Sequence, residues 1–151
     1  MSLEDELKLG KNIKTSKKTI VHLMYIGDYI LNEINTVLKP YQISNQQYNV
    51  LRILRGQKGN PVSLSDIQSR MIHKNSNTTR LVDKLEKKNL VNREINKENR
   101  RKVKIQITAD GLKSLKKLDP IIDDLEKDIM KHLKTEDHIL LNQYLERLRI
   151  Y

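Results

Sequence analysis

The apolar residues of this chain change period twice between Thr79 and Met130, and that switch restricts the fold more than any other feature. Leu81, Val82 and Leu85 share one face at helical spacing. Val91 and Ile95, then Val103, Ile105 and Ile107, alternate with polar residues such as Lys104 and Gln106, as half-buried strands do. Asn96 to Arg101 lie between them as a hairpin tip, and Arg93 interrupts the inward alternation of the first strand. Leu115, Leu118, Ile122, Leu125 and Ile129 then return at steps of three and four, a seam of the kind that pairs helices. Pro120 lies inside that seam and should bend the helix.

The residues upstream complete a module. Residues 1–18 are Lys-rich and read as a frayed arm or the start of a helix. Ile20, Leu23, Met24, Ile30, Leu31, Ile34 and Leu38 mark a long helix that Pro40 closes. Ser44-Asn45-Gln46-Gln47 is a capping-box pattern opening a second helix, with Tyr48, Leu51 and Leu54 inward. Gly56, Gly59 and Pro61 end it, and Val62 supplies a short strand. Ser63-Leu64-Ser65-Asp66 caps a third helix, His73 to Ser76 form a turn, and a fourth helix runs to about Lys88 with Asn89 as its C-cap. Thr108 caps the long helix, and Thr135 opens a last one carrying Leu141, Tyr144, Leu145 and Leu148.

The expected fold is therefore mainly α, a single chain over 1–151 with a winged helix-turn-helix lobe at 44–107. The helices at 15–43 and 108–151 carry apolar stripes that this lobe cannot cover. They read as a dimerisation region, with Leu118, Leu125 and Ile129 at or near the shared interface.

Charge points to the partner. Residues 70–104 hold twelve Lys or Arg and four Asp or Glu, a balance of +8, against +10 for the whole chain. Positive charge confined to one quarter of a sequence marks a surface that meets a polyanion. All six aromatic residues are Tyr, and none lies in the basic stretch. Single-strand binders stack bases on exposed rings, so duplex DNA is favoured. The chain has no Cys, which excludes disulfides and thiol switches. No run is apolar enough to span a membrane and no signal-peptide core is visible, so a cytoplasmic location is expected.

Four residues at the start of the fourth helix are candidates for reading DNA: Ser76, Asn77, Thr79 and Arg80. Arg pairs bidentately with guanine and Asn with adenine, and a Thr methyl can touch a thymine methyl. The plainer role for Ser76 and Asn77 is to cap the helix. At the hairpin tip, Arg100 and Arg101 are candidates for the minor groove, whose negative potential attracts an inserted Arg. A solvated charged tip is the plainer role there. Lys84, Lys87, Lys102 and Lys104 read as solvated parts of the positive field. Asp128 and His132 stand at i, i+4 with His138 nearby, too few convergent ligands for a metal site. No metal or cofactor is expected. There is no Gly-rich phosphate loop and no nucleophile elbow, so the chain does not read as an enzyme.

Three strings carry a resemblance to a known family. The first is Asn99-Arg100-Arg101-Lys102-Val103-Lys104-Ile105-Gln106-Ile107-Thr108-Ala109-Asp110-Gly111. The second is Thr79-Arg80-Leu81-Val82-Asp83-Lys84-Leu85-Glu86-Lys87-Lys88-Asn89-Leu90-Val91, and the third Tyr48-Asn49-Val50-Leu51-Arg52-Ile53-Leu54. They resemble the wing, recognition helix and second helix of the MarR family of bacterial transcription regulators, over roughly residues 20–148. One position departs. Asn99 stands where the family usually has an Asp that anchors the wing Arg. The resemblance implies a homodimer that binds a pseudo-palindromic operator in double-stranded DNA, usually as a repressor. It implies Arg101 as the inserting wing residue, with Arg100 and Lys97 on phosphates. Many members release DNA on binding a small, often phenolic, ligand between the dimer region and the winged lobe. His22, Tyr25 and Tyr29 on the first long helix are the candidates for such an effector pocket, with core packing as the plainer role of the Tyr rings. A nucleoid-type protein of low sequence preference, or an adaptor using the winged lobe for protein contacts, are the alternatives.

Overall fold

A computed structural model describes residues 2–10, 12–95, 97, 99 and 103–149. Its elements are α1 (Leu3–Glu6), α2 (Thr15–Leu38), a 3-10 turn (Lys39–Tyr41), α3 (Asn45–Arg55), β1 (Val62–Ser63), α4 (Leu64–Arg70), α5 (Thr78–Lys87), β2 (Val91–Ile95), β3 (Val103–Ile107), α6 (Ala109–Met130) and α7 (Thr135–Leu148). The fold is mainly α, with a small antiparallel sheet in the order β1-β3-β2. No described helix is long and apolar enough to cross a membrane.

Local chemistry sets the helix starts. Ser44 Oγ accepts from the Gln47 amide and the Gln47 side chain accepts from the Ser44 amide, both at 3.1 Å. Ser63 and Asp66 make the same reciprocal pair at the start of α4. Asn77 Oδ1 caps α5 by accepting from the Arg80 amide at 3.0 Å. Each cap satisfies amides that the first turn leaves without partners. After α5, Asn89 takes a left-handed conformation at φ 57°, which turns the chain into β2.

The wing base is fixed by two residues of one motif. Thr108 Oγ1 donates to the Asn89 carbonyl at 2.7 Å and accepts from the Gly111 amide at 2.9 Å. The Thr108 amide donates to the Leu90 carbonyl at 3.1 Å. Gly111 then passes so close to the residue before β2 that a Cβ built there would lie 2.3 Å from the Leu90 carbonyl oxygen. The Thr-x-x-Gly spacing thus joins the end of the hairpin to the start of α6.

The core sits in the middle of the chain. Its buried residues include Leu38, Leu51, Leu54, Ile67, Met71, Val82, Leu85, Val91, Ile105 and Leu115. No residue of α7 is buried, and the first half of α2 leaves Ile20, Met24 and Ile26 exposed.

Several sequence expectations change. Residues 3–6 form a separate short helix, and α2 begins only at Thr15. Ile95, expected inward, is 62% exposed, because the hairpin extends past the core. Leu118 is 1% exposed and packs into the core of its own chain, so it has no area to share with a partner. The α6 seam is split: Leu115, Leu118 and Ile122 face inward, while Leu125 and Ile129 are only half-buried. Pro120 lies inside α6, where the sequence places it.

Candidate nucleic-acid interface

Helices α4 and α5 form the helix-turn-helix, and buried contacts fix α5 in place. Thr78 is buried and its hydroxyl bonds to Gln68 of α4. Gln68 Nε2 in turn donates to the Lys74 carbonyl at 2.5 Å, which holds the turn. Ser76 Oγ donates to the His73 carbonyl at 2.6 Å, so its side chain is used within the turn. Asn77 is exposed but its Oδ1 caps the helix. Thr79 and Arg80 are exposed on the first turn. Of the four candidates, Thr79 and Arg80 are therefore the ones with no capping duty.

A cleft of about 360 Å³ runs between α5 and the start of α3. Asn77, Arg80 and Lys84 line one wall, and Ser44 and Gln46 the other. Gln46 carries no local signal for this position, because its approach to α5 is a tertiary contact. Lys97 is exposed in the hairpin tip. Arg100 and Arg101 lie outside the described residues.

Arg93, the residue that broke the strand alternation, points at α5. Its guanidinium pairs with Asp83 and stands 3.2 Å from Glu86 Oε2. An inward charge is stable there because two carboxylates meet it.

A second polar junction ties the lobe to α6. Tyr48 Oη donates to Asp119 Oδ1 at 2.7 Å, and Arg55 makes an ion pair with the same carboxylate. Burial and the bond to Asp119 push the Tyr48 hydroxyl well above its ordinary range. Burial alone would raise the Asp119 carboxyl, but its bonds from Arg55 and Tyr48 outweigh this and hold it below the usual carboxylate value.

Among the described residues, His22, Tyr25 and Tyr29 line none of the clefts beside α5, between α2 and α3, or between α2 and α7. His22 is half-buried, while Tyr25 and Tyr29 are 36% and 44% exposed, so the Tyr rings are not core residues. Tyr25 Oη donates to Glu6 of α1 at 2.7 Å. A different cleft, of about 230 Å³, lies between α2 and α3 and is lined by Leu31, Asn35, Ser44, Asn45, Gln46 and His73. The Asn45 amide donates to Asn35 Oδ1 at 3.0 Å, and Asn45 Nδ2 lies 3.4 Å from His73 Nε2. The terminal helices form a third, apolar groove of about 580 Å³, lined by Leu23 of α2 and by Leu141, Tyr144, Leu145 and Leu148 of α7.

Comparison with known proteins agrees with this geometry. The MarR family pattern matches residues 43–103. The HTH-type transcriptional regulator YfiV of Bacillus subtilis is 31% identical over 150 residues, which is 97% of this chain and 82% of YfiV. The crystal structure of a MarR transcription factor from Planctomyces limnophilus superposes with a TM-score of 0.72 at 27% identity, covering 90% of this chain and 98% of that one. Bordetella bronchiseptica BpsR, whose DNA binding is regulated by 6-hydroxynicotinic acid, shares the fold at a TM-score of 0.79 and 16% identity, over 92% and 98% of the two chains. With the winged lobe, the Thr108–Gly111 wing base and these likenesses together, the chain belongs to the MarR family of transcription regulators.

Proposed function

We propose that this regulator binds double-stranded DNA sequence-specifically as a homodimer and acts as a ligand-responsive repressor. Helix α5 carries the reading. It is pinned by buried contacts, capped by Asn77, and presents Thr79, Arg80, Lys84 and Lys87 to solvent. A rigid helix of this kind enters the major groove with its first turn on base edges. In this account Arg80 and Thr79 read bases, with Asn77 beside them and Ser76 shaping the turn. From the wing, Arg101 enters the minor groove and Arg100 and Lys97 meet phosphates.

The winged lobe at 44–107 does the binding, and 15–43 with 108–151 does the pairing. The exposed apolar faces of α2 and α7 support this: Leu23, Leu141, Tyr144 and Leu148 are uncovered in the single chain. A second copy is the partner that would cover them. Leu125 and Ile129, half-buried on α6, belong to the same interface in this reading.

The effector is a small phenolic or aromatic molecule, such as 6-hydroxynicotinic acid is for BpsR. The cleft between α2 and α3 suits it better than His22, Tyr25 and Tyr29. Asn35, Asn45 and His73 supply hydrogen-bonding groups there beside Leu31. The cleft joins the pairing helix α2 to the reading lobe, so an occupant would alter their relative position.

The test is selection of genomic duplex fragments by the purified protein, followed by protection mapping. A discrete two-fold symmetric footprint is expected. Failure to bind any duplex at low salt would leave the adaptor role instead.

A further inference from the structure

We propose that Arg93 is a positioning residue for DNA binding: from β2 it holds and neutralises Asp83 and Glu86, the two carboxylates beside the exposed reading residues of α5. This role rests on the DNA-binding reading above.

Helix α5 carries two polar stripes of opposite sign. Arg80, Lys84 and Lys87 follow at i, i+4 and i+7. Arg80 and Lys84 line the cleft against α3, so this cationic stripe lies on the α3 side. Thr79, Asp83 and Glu86 repeat the same spacing one residue earlier, which places the carboxylates on the other side, toward β2. Arg93 reaches them from its strand position opposite Ile105, pairing with Asp83 and standing 3.2 Å from Glu86.

Both carboxylates stay open to solvent, with side-chain exposures of 47% and 48%, while Arg93 is more covered at 26%. Asp83 sits one turn after Thr79. A phosphate backbone brought against α5 therefore approaches both acids well within the screening length of about 8–10 Å. Unpaired, they would repel it. Paired, they become a neutral edge beside a cationic one. The planar guanidinium meets two carboxylates at once, which a lysine ammonium on one flexible stem does less well.

The probe is sonicated genomic duplex at fixed low salt, with thermal denaturation of every variant. Arg93→Met keeps an apolar stem and removes the charge, and should weaken binding by about tenfold. Adding Asp83→Asn and Glu86→Gln to it should restore affinity at least to the wild-type value. Adding Asp123→Asn and Asp124→Asn, exposed acids of α6, should not. Rescue confined to the α5 acids is a readout that a merely structural role would not move. If Arg93→Met does not fold, Arg93→Lys replaces it and should bind more weakly than wild type. Wild-type affinity in these single variants, or a triple variant as weak as Arg93→Met, overturns the role. Wild-type protein that binds no duplex removes the DNA-binding reading and this role with it. Binding wild type with silent Arg93 variants removes the role alone.

Discussion

Replacing Gly111 by Ala should destabilise the protein by about 2–4 kcal/mol. The added Cβ would lie 2.3 Å from the Leu90 carbonyl oxygen and 2.6 Å from Ile107 Cγ1. Ordinary contact begins near 3.4 Å, so the shortfall is close to an ångström. The obstructing oxygen cannot rotate away, because it is backbone and accepts from the Thr108 amide at 3.1 Å. The start of α6 must move instead, which strains the bonds from Thr108 to Asn89 and Leu90. Overpacking costs about 1–3 kcal/mol, and each strained hydrogen bond adds about 1 kcal/mol. The better helix propensity of Ala returns at most about 1 kcal/mol. At this chain length each kcal/mol moves the midpoint by about 2–4 °C. The assay is urea and thermal denaturation by circular dichroism, at matched protein concentration because a dimer's midpoint depends on it. Gly56→Ala is the control. Its Cβ would meet only atoms at 3.4 and 3.6 Å, and its φ of −61° suits any residue. That variant should stay within about 0.5 kcal/mol of wild type. A Gly111→Ala protein as stable as Gly56→Ala would refute the account of the wing base.

Three further outcomes are expected. Arg80→Ala should cost about 1–3 kcal/mol of discrimination between operator and random duplex; equal weakening on both would make Arg80 a phosphate contact. Leu125→Lys should dissociate the dimer in sedimentation at micromolar concentration, because a half-buried seam position would then carry an unpaired charge; an intact dimer would move the interface elsewhere. The junction at Asp119 should weaken in acid. Its carboxyl is held below the ordinary value, so its stabilisation is full above about pH 4 and is lost as pH falls through the lowered value. Asp119→Asn should therefore flatten the acid limb of a stability-against-pH curve, and an unchanged limb would show that the junction contributes nothing.

The parts of this fold legible in the sequence were those decided within a few residues. Ser44 with Gln47 and Ser63 with Asp66 are contacts three residues apart, so their spacing alone announces helix starts, and Thr108 announces a third as a capping residue. Asn89 likewise declares a left-handed turn by its own chemistry. What failed was decided across the chain. Leu118 and Leu125 occupy the same seam, but only the packing of α6 against α3 and α2 buries the first completely. Arg93 looked like a flaw in a strand until Asp83 and Glu86 stood beside it. Asn35, Asn45 and His73 meet across three separate segments, and no local pattern could have joined them.

A regulator whose α5 and wing read a duplex sequence must hold its site against other DNA. Competition binding measures this most directly: a selected genomic fragment, labelled, is held against rising excess of random duplex at physiological salt, and the bound complex is footprinted. Binding should survive the competitor, over two symmetric half-sites about one helical turn apart. Complete displacement by an equal mass of random duplex, with no discrete footprint, would contradict it.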